Sequence, residues 1–240
     1  MIHVDRGPEP LYLIQNKAQL TQALLNARAE EARAQNKQDK DAAKKKRQSC
    51  EDKYNHESVK ARLELAFKGK CAYCESKITH VSYPHIEHFE PKQSRPDLAF
   101  EWSNLLLSCS ICNGPAFKGT KFPTLAEGGP ILDPCGSDKI EDHLVFQYDE
   151  RARQTNVGGK TTRGETTVEL FGLNSVRRKE LLEQRSKCFS RILVIFHLSR
   201  TDTDAADLWR EIVNLARQGD EEYAAFVRAL EDGTLVIIPP

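Results

Sequence analysis

The stretch Cys71-Ala-Tyr-Cys74, His85-Ile-Glu-His88, Asn104, Cys109-Ser-Ile-Cys112-Asn113 and Lys118 decides how the chain is read. Two C-x-x-C pairs supply four thiolates, the number that closes a tetrahedral shell around Zn²⁺ and leaves no open coordination position. A closed site is structural, so chemistry has to come from the residues held between the pairs: His85, Glu87, His88 and Asn104. Seven cysteines is an odd count. In a reducing compartment, four of them at metal-ligand spacing read as a metal site and not as disulfides. Cys50, Cys135 and Cys188 are scattered singly and read as small buried or surface side chains.

Outward from that stretch, a chain of 240 residues with 39% hydrophobic residues is long enough for a packed core. Lysine plus arginine and aspartate plus glutamate both number 35, so any nucleic-acid surface must be local. The apolar runs Ile192–Phe196 and Leu235–Ile238 are far shorter than the roughly 20 residues of a spanning helix. The opening Met1-Ile-His-Val-Asp5 has neither the basic start nor the apolar core of a signal peptide, which places the protein in the cytoplasm without membrane contact.

The prolines of Arg6-Gly-Pro-Glu-Pro10 predict an extended start over residues 1–13. From about Asn16 to Gln48 the chain is rich in strong helix formers with no glycine or proline, and so reads as helical. Its second half is nearly all polar, which fits a solvated helix or a disordered run. Lys44-Lys-Lys-Arg47 is the one dense basic cluster and reads as a solvated charged face. Ser58 to Phe67 predicts a helix ended by Gly69. Ile78 to Phe89, with Ser82-Tyr-Pro84 in its middle, reads as two short strands or one strand and its turn. Alternation puts His85 and Glu87 on one face and His88 on the other, so Glu87 and His88 share a site only near a strand end or bulge. Leu105–Leu107 reads as a short buried strand, followed by a helix from about Cys112. Phe100 and Trp102 read as packing residues. The segment 119–165 is turn-rich, with Gly158-Gly159 as a hairpin turn. Helices are expected over Val176–Leu198, Asp204–Ala216 and Asp220–Leu230, and the apolar tail from Leu235 must pack on the body or on another chain. His80, His143 and His197 read as structural or solvated.

Phosphodiester hydrolysis needs a base for the attacking water and a hard cation on the phosphate oxygens. Glu87 beside His88 offers a cation ligand next to a base, and Asn104 and Asn113 offer amide oxygens. Taken together, Cys71-x-x-Cys74, Glu87-His88, Asn104 and Cys109-x-x-Cys112-Asn113 resemble an HNH endonuclease of the four-cysteine type. The resemblance implies an α+β fold in which a zinc-stabilised ββα-metal module is embedded in a mostly helical protein. It implies His88 as general base, Glu87 as ligand of a catalytic Mg²⁺ or Mn²⁺, and Asn104 as the residue fixing the base or its loop. Asn113, in place of the family's final histidine, would be a further catalytic residue and oxygen ligand. His85, Lys92 and Lys118 would face nucleic acid. Cys71, Cys74, Cys109 and Cys112 would hold structural Zn²⁺. The implied organisation is an N-terminal segment and helical arm over 1–68, the nuclease module over 69–125, a turn-rich connection over 126–165 and a C-terminal helical region over 166–240.

Outer motifs extend the resemblance: Ile2-x-Val4-x-Arg6-x-x-Glu9-Pro10, Glu87-His-Phe-x-Pro-Lys92, Lys121-Phe-Pro123, Asp133-Pro134 and Thr166-Thr-Val-x-Leu-x-Gly-Leu-Asn174. They are similar to the HNH subunits of Septu-type and retron-associated antiphage systems. That resemblance implies a partner ATPase and a nucleic-acid substrate, DNA ahead of RNA. Two other readings stay open: a zinc-stabilised nucleic-acid or protein-binding module without catalysis, and a free-standing restriction-like nuclease.

Overall fold

The computed structural model describes residues 1–78 and 83–239. His80, Ser82 and the first piece of the expected strand pair lie outside the described residues. Helix α1 (Leu11–Arg33) begins directly behind Pro10, earlier than the composition suggested, because the Pro10 carbonyl accepts the first helical bonds from Leu13 and Ile14. The helix-forming stretch to Gln48 is two helices, and its polar second half is a helix and not a disordered run. Ala34 turns to extended backbone, and Asn36 caps α2 (Lys37–Glu51) by accepting the Asp39 N–H at 2.9 Å.

The second helix folds back on the first. With almost no apolar side chains of its own, α2 is tied by ion pairs, Lys46 to Glu30 at 2.6 Å and Arg47 to Glu31 at 2.5 Å. Exposed pairs of this kind contribute at most about 1 kcal/mol each. The buried Glu51 adds a firmer link, accepting from Arg28 at 3.0 Å and Arg47 at 2.8 Å. The basic cluster is thus partly neutralised in place, with Lys44 and Lys45 left exposed.

Helix α3 (Glu57–Ala66) runs out through Lys68 and Gly69, both with positive φ, and this reversal delivers the chain to the first cysteine pair. Strand β1 (His85–His88) pairs antiparallel with β2 (Leu105–Ser108), setting His88 opposite Leu105. Every residue of β2 is buried, as its apolar run indicated. Helix α4 (Ser110–Asn113) starts before the expected Cys112 because Cys109 caps it, its Sγ 3.4 Å from the Cys112 N–H.

After the short α5 (Ile140–His143), β3 (Leu144–Asp149) and β4 (Gln154–Gly159) form an antiparallel hairpin. Gly158 and Gly159 are not its turn. They lie in β4, where a side chain at Gly159 would meet the Glu165 backbone at 2.3 Å, so the glycine lets α6 (Thr162–Leu170) approach the sheet. Residues 176–178 form a 3₁₀ turn ahead of α7 (Lys179–Leu198), which packs with α8 (Thr203–Gln218) and α9 (Ala224–Glu231). The start of α9 falls later than Asp220 because Tyr223 takes a left-handed conformation. The apolar tail becomes β5 (Val236–Ile238), parallel to β3, giving the order β4-β3-β5. His143 Nδ1 lies 2.8 Å from Thr161 Oγ1, a structural role, and His197 is exposed.

One hydrophobic cluster runs from Met1 to Leu230, so the arm, the cysteine module and the C-terminal helices share a core. Tyr73, between the first two cysteines, stacks on Phe171 at 3.8 Å and ties the module to the C-terminal region. Among the described residues no helix is long and apolar enough to cross a membrane.

The outer edge of β4 is closed by a side chain. Asn174 Oδ1 accepts the Val157 N–H at 3.0 Å, and its Nδ2 donates to the Val157 carbonyl at 2.7 Å. An Asn174→Ala variant leaves both backbone groups without these partners, and should lose roughly 2 kcal/mol. Urea unfolding should show a lower midpoint with an unchanged slope.

Candidate active site and metal centre

The four cysteines converge. Their Sγ atoms all lie within 4.8 Å of one another, with Cys74 and Cys109 at 4.0 Å. A tetrahedral zinc with Zn–S near 2.3 Å needs sulfurs about 3.8 Å apart, so the donor set and spacing fit a structural Zn²⁺. The first pair is shaped by a tight turn in which Cys71 N–H donates to the Ser76 carbonyl and Glu75 N–H to the Cys71 carbonyl, each at 3.0 Å.

Around the thiolates lie groups able to donate to sulfur. Ser76 Oγ is 3.5 Å from Cys74 Sγ and Ser108 Oγ 3.7 Å from Cys71 Sγ. Arg178 reaches in from the turn before α7, with Nη1 3.3 Å from Cys112 Sγ and 2.7 Å from the Phe171 carbonyl. Burial pulls the Arg178 guanidinium down, but the charges of Cys112, Cys74 and Cys109 outweigh it and hold its proton more tightly than usual. Four thiolates on one Zn²⁺ leave an excess of negative charge, and this buried arginine offsets it. Sequence reading missed Arg178, because nothing in its spacing links it to cysteines so far away in the chain.

The second centre is a cleft of about 390 Å³ lined by Tyr54, Glu87, His88, Lys92, Asn113 and Lys118, among others. Alternation would separate Glu87 from His88, but β1 stops at His88 and both residues reach the cleft at the strand end. His88 is buried, and its Nε2 lies 3.0 Å from the Ala99 carbonyl. A carbonyl oxygen only accepts, so Nε2 carries the proton in this bond and Nδ1 keeps its lone pair. Burial drops His88 to about 4, with the Ala99 bond working the other way and Lys92 and Lys118 adding to the fall. The imidazole is therefore neutral at neutral pH.

Glu87 is also buried and pairs with the Lys118 ammonium through Oε1. Burial pushes its carboxyl up to about 7, against the pull of Lys118 and Lys92. Lys118 Nζ also donates to the His88 carbonyl at 2.7 Å. Lys118, expected to face nucleic acid, is fully buried in the cleft wall and anchors the Glu87-His88 pair. Lys92 lines the cleft, whereas His85 is exposed at the start of β1 and stands outside the lining.

Asn104 holds the loop that follows the strand. Its Oδ1 accepts the Glu90 N–H at 2.7 Å, and its Nδ2 donates to the carbonyls of Glu90 at 3.0 Å and Leu98 at 3.1 Å. That fixes the segment carrying Ala99, and through it the His88 ring. Asn113, at the end of α4, is half-buried in the cleft wall. Phe100 is buried, and Trp102 donates its Nε1–H to the Gly7 carbonyl at 3.0 Å; both pack as expected.

This arrangement has a counterpart among known proteins: residues 71–115 match the family model of the HNH endonuclease. The segment is similar to an HNH module. The chain is also similar to the Septu protein PtuB of Bacillus mycoides (strain KBAB4), 36% identical over 160 residues, which is 56% of this chain and 52% of that one. It is also similar to the Septu protein PtuB of Bacillus thuringiensis, 32% identical over 180 residues, 74% of this chain and 56% of the relative. The chain spans about half the length of the curated relatives it matches. No solved structure matches it.

The HNH module's thiolate site makes a specific expectation about Arg178. Groups of this kind around a metal typically change affinity by about 10- to 100-fold when removed. In Arg178→Ala, zinc should transfer to a competing chelator at correspondingly lower concentration, followed with a colorimetric zinc indicator.

Proposed function

We propose that the chain is a metal-dependent endonuclease that hydrolyses phosphodiester bonds, with His88 as general base. The observation that carries this is the His88 ring itself: neutral, with Nε2 bound to Ala99 and Nδ1 left to take a proton, beside a buried carboxylate in a cleft. Water held against Nδ1 would lose its proton to the ring as it attacks phosphorus.

Glu87 and Asn113 would hold a divalent cation, Mg²⁺ or Mn²⁺. One carboxylate and one amide oxygen, with water completing the shell, is a donor set such hard ions accept. When bound, the ion supplies charge stabilisation at the phosphate oxygens. Lys118 takes Oε1 of Glu87 and sets the direction of the carboxylate, leaving Oε2 as the ligand position. Asn104 keeps Ala99 under the base. Lys92 and Lys121, both in the cleft lining, would meet the substrate backbone. The cleft favours nucleic acid over a small ester because Lys92 and Lys121 remain open to solvent while the base and carboxylate lie buried.

The Septu resemblance supports a place in antiphage defence, working with a partner ATPase. A formal net charge of +0 agrees with a partner that delivers substrate, since affinity for duplexes comes mainly from phosphate neutralisation. Cleavage of plasmid, single-stranded DNA and tRNA with Mg²⁺ or Mn²⁺, with and without the ATPase, tests both statements. His88→Ala should lower the rate roughly 10²-fold or more while zinc content and melting temperature hold. Cleavage at the wild-type rate by that variant would refute His88 as the base, and absence of cleavage by the wild-type chain on every substrate would favour a binding module.

The pH profile gives a second check. A base that takes its proton only near pH 4 stays competent as pH falls through the ordinary histidine range of about 6.5. The kcat/KM profile should therefore show no His88 limb between pH 5 and 8. An acid limb in that window belongs to Glu87, whose carboxyl stands at about 7; an NMR titration that places the His88 imidazole near 6.5 would contradict the buried, neutral base.

A further inference from the structure

The helical arm α1–α2 lies outside the HNH module, and a nuclease of that module's size does not require it. Yet the turn that ends the arm, Asp52–Tyr54, enters the cleft. The half-buried Tyr54 ring stands with its centroid 4.6 Å from the His88 ring at an interplanar angle of 81°. Lys92 Nζ sits 4.4 Å from the Tyr54 centroid and 3.4 Å from its Oη.

That turn is held from two sides. Tyr12 of α1 donates its Oη–H to the Lys53 carbonyl at 3.1 Å and stacks on His56 at 3.8 Å. On the other side, Arg28 of α1 donates to the carbonyls of Lys92 at 2.8 Å and Gln93 at 2.9 Å, and to the buried Glu51 at 3.0 Å. Glu51 in turn accepts from Arg47 at 2.8 Å. One network therefore fastens the arm both to the Tyr54 turn and to the catalytic loop carrying Lys92.

The need for such a wall follows from the His88 geometry. A single hydrogen bond at Nε2 fixes one corner of the imidazole and leaves the ring able to rock about that bond. A second ring set nearly perpendicular at van der Waals range blocks the rocking, and so sets where Nδ1 points. The position of a reacting group matters steeply, since a misplacement of about 1 Å can cost about 10²-fold in rate.

We propose that Tyr54 is a positioning residue for His88, and that the α1–α2 arm is a built part of the active site and not an appended docking element. The inference rests on the nuclease reading above. It assigns the work to the Tyr54 ring and not to its hydroxyl, and this separates it from direct contact between Tyr54 and the substrate.

The test is steady-state cleavage by the full chain carrying Tyr54→Phe, Tyr54→Leu or Tyr54→Ala, beside wild type and His88→Ala, with melting temperatures measured on each. Loss of cleavage in His88→Ala secures the nuclease reading, so a failure at Tyr54 then counts against this inference alone. Tyr54→Phe should keep wild-type kcat and KM. Tyr54→Leu keeps apolar bulk without the ring plane. It should fold as wild type and lose roughly 10- to 100-fold in kcat with little change in KM, as should Tyr54→Ala. Wild-type kcat in Tyr54→Leu would overturn the proposal. So would a loss confined to KM and shared by Tyr54→Phe, which would place the hydroxyl on the substrate.

Discussion

Closure of four thiolates at one point is the constraint on which the rest of the structure depends. Cys74 and Cys109 are 35 residues apart in sequence, and Glu87, His88, Lys92 and Asn104 lie between them. Drawing the two C-x-x-C pairs together closes a loop whose entropy would otherwise leave β1, the Asn104-braced segment and Ala99 free to separate. Structural zinc in small peptide sites contributes on the order of 10 kcal/mol at neutral pH, enough to outweigh that cost. The surrounding protein is shaped to the same end: Tyr73 stacks on Phe171, and Arg178 sets its charge against the sulfurs.

The cleft shows a second balance, between burial and charge. Glu87 and Lys118 are both withdrawn from water, and neither would be tolerated there alone. Together they hold the strand end, because Lys118 bonds the Glu87 carboxylate and the His88 carbonyl at once. His88 meets the opposite condition, a base kept neutral because its charged form is disfavoured by burial. One dry pocket thus keeps a carboxylate in place through an ammonium and keeps an imidazole ready to accept a proton.

The legible parts were those written in local spacing. The cysteine pairs, the Glu87-His88 step and the amphipathic C-terminal helices each carry their pattern within a few residues, and the structure brings the four cysteines together as their spacing required. What escaped depends on partners far away in sequence. Lys118 was assigned to nucleic acid by resemblance alone; only the fold shows the buried carboxylate it pairs with. Tyr54 and Arg178 reach their sites from segments 34 and 66 residues removed from His88 and Cys112, as Tyr54 to His88 by number and as the Arg178–Cys112 separation shows. Gly158-Gly159 looked like a turn because paired glycines usually are, yet at Gly159 the missing side chain makes room for the Glu165 backbone. The break between α1 and α2 was hidden by uniformly good helix formers, and was set by Asn36 as a cap and by ion pairs that only a folded-back helix can make.

The arm, the cleft and the C-terminal helices all lean on the thiolate site, so its occupancy is the quantity to measure. Zinc K-edge X-ray absorption on the purified chain, with metal content determined in parallel, reads it directly. The account requires one zinc per chain with four sulfur neighbours at about 2.3 Å and no nitrogen or oxygen ligand. A folded chain without zinc, or a zinc bound partly through nitrogen or oxygen, would contradict it.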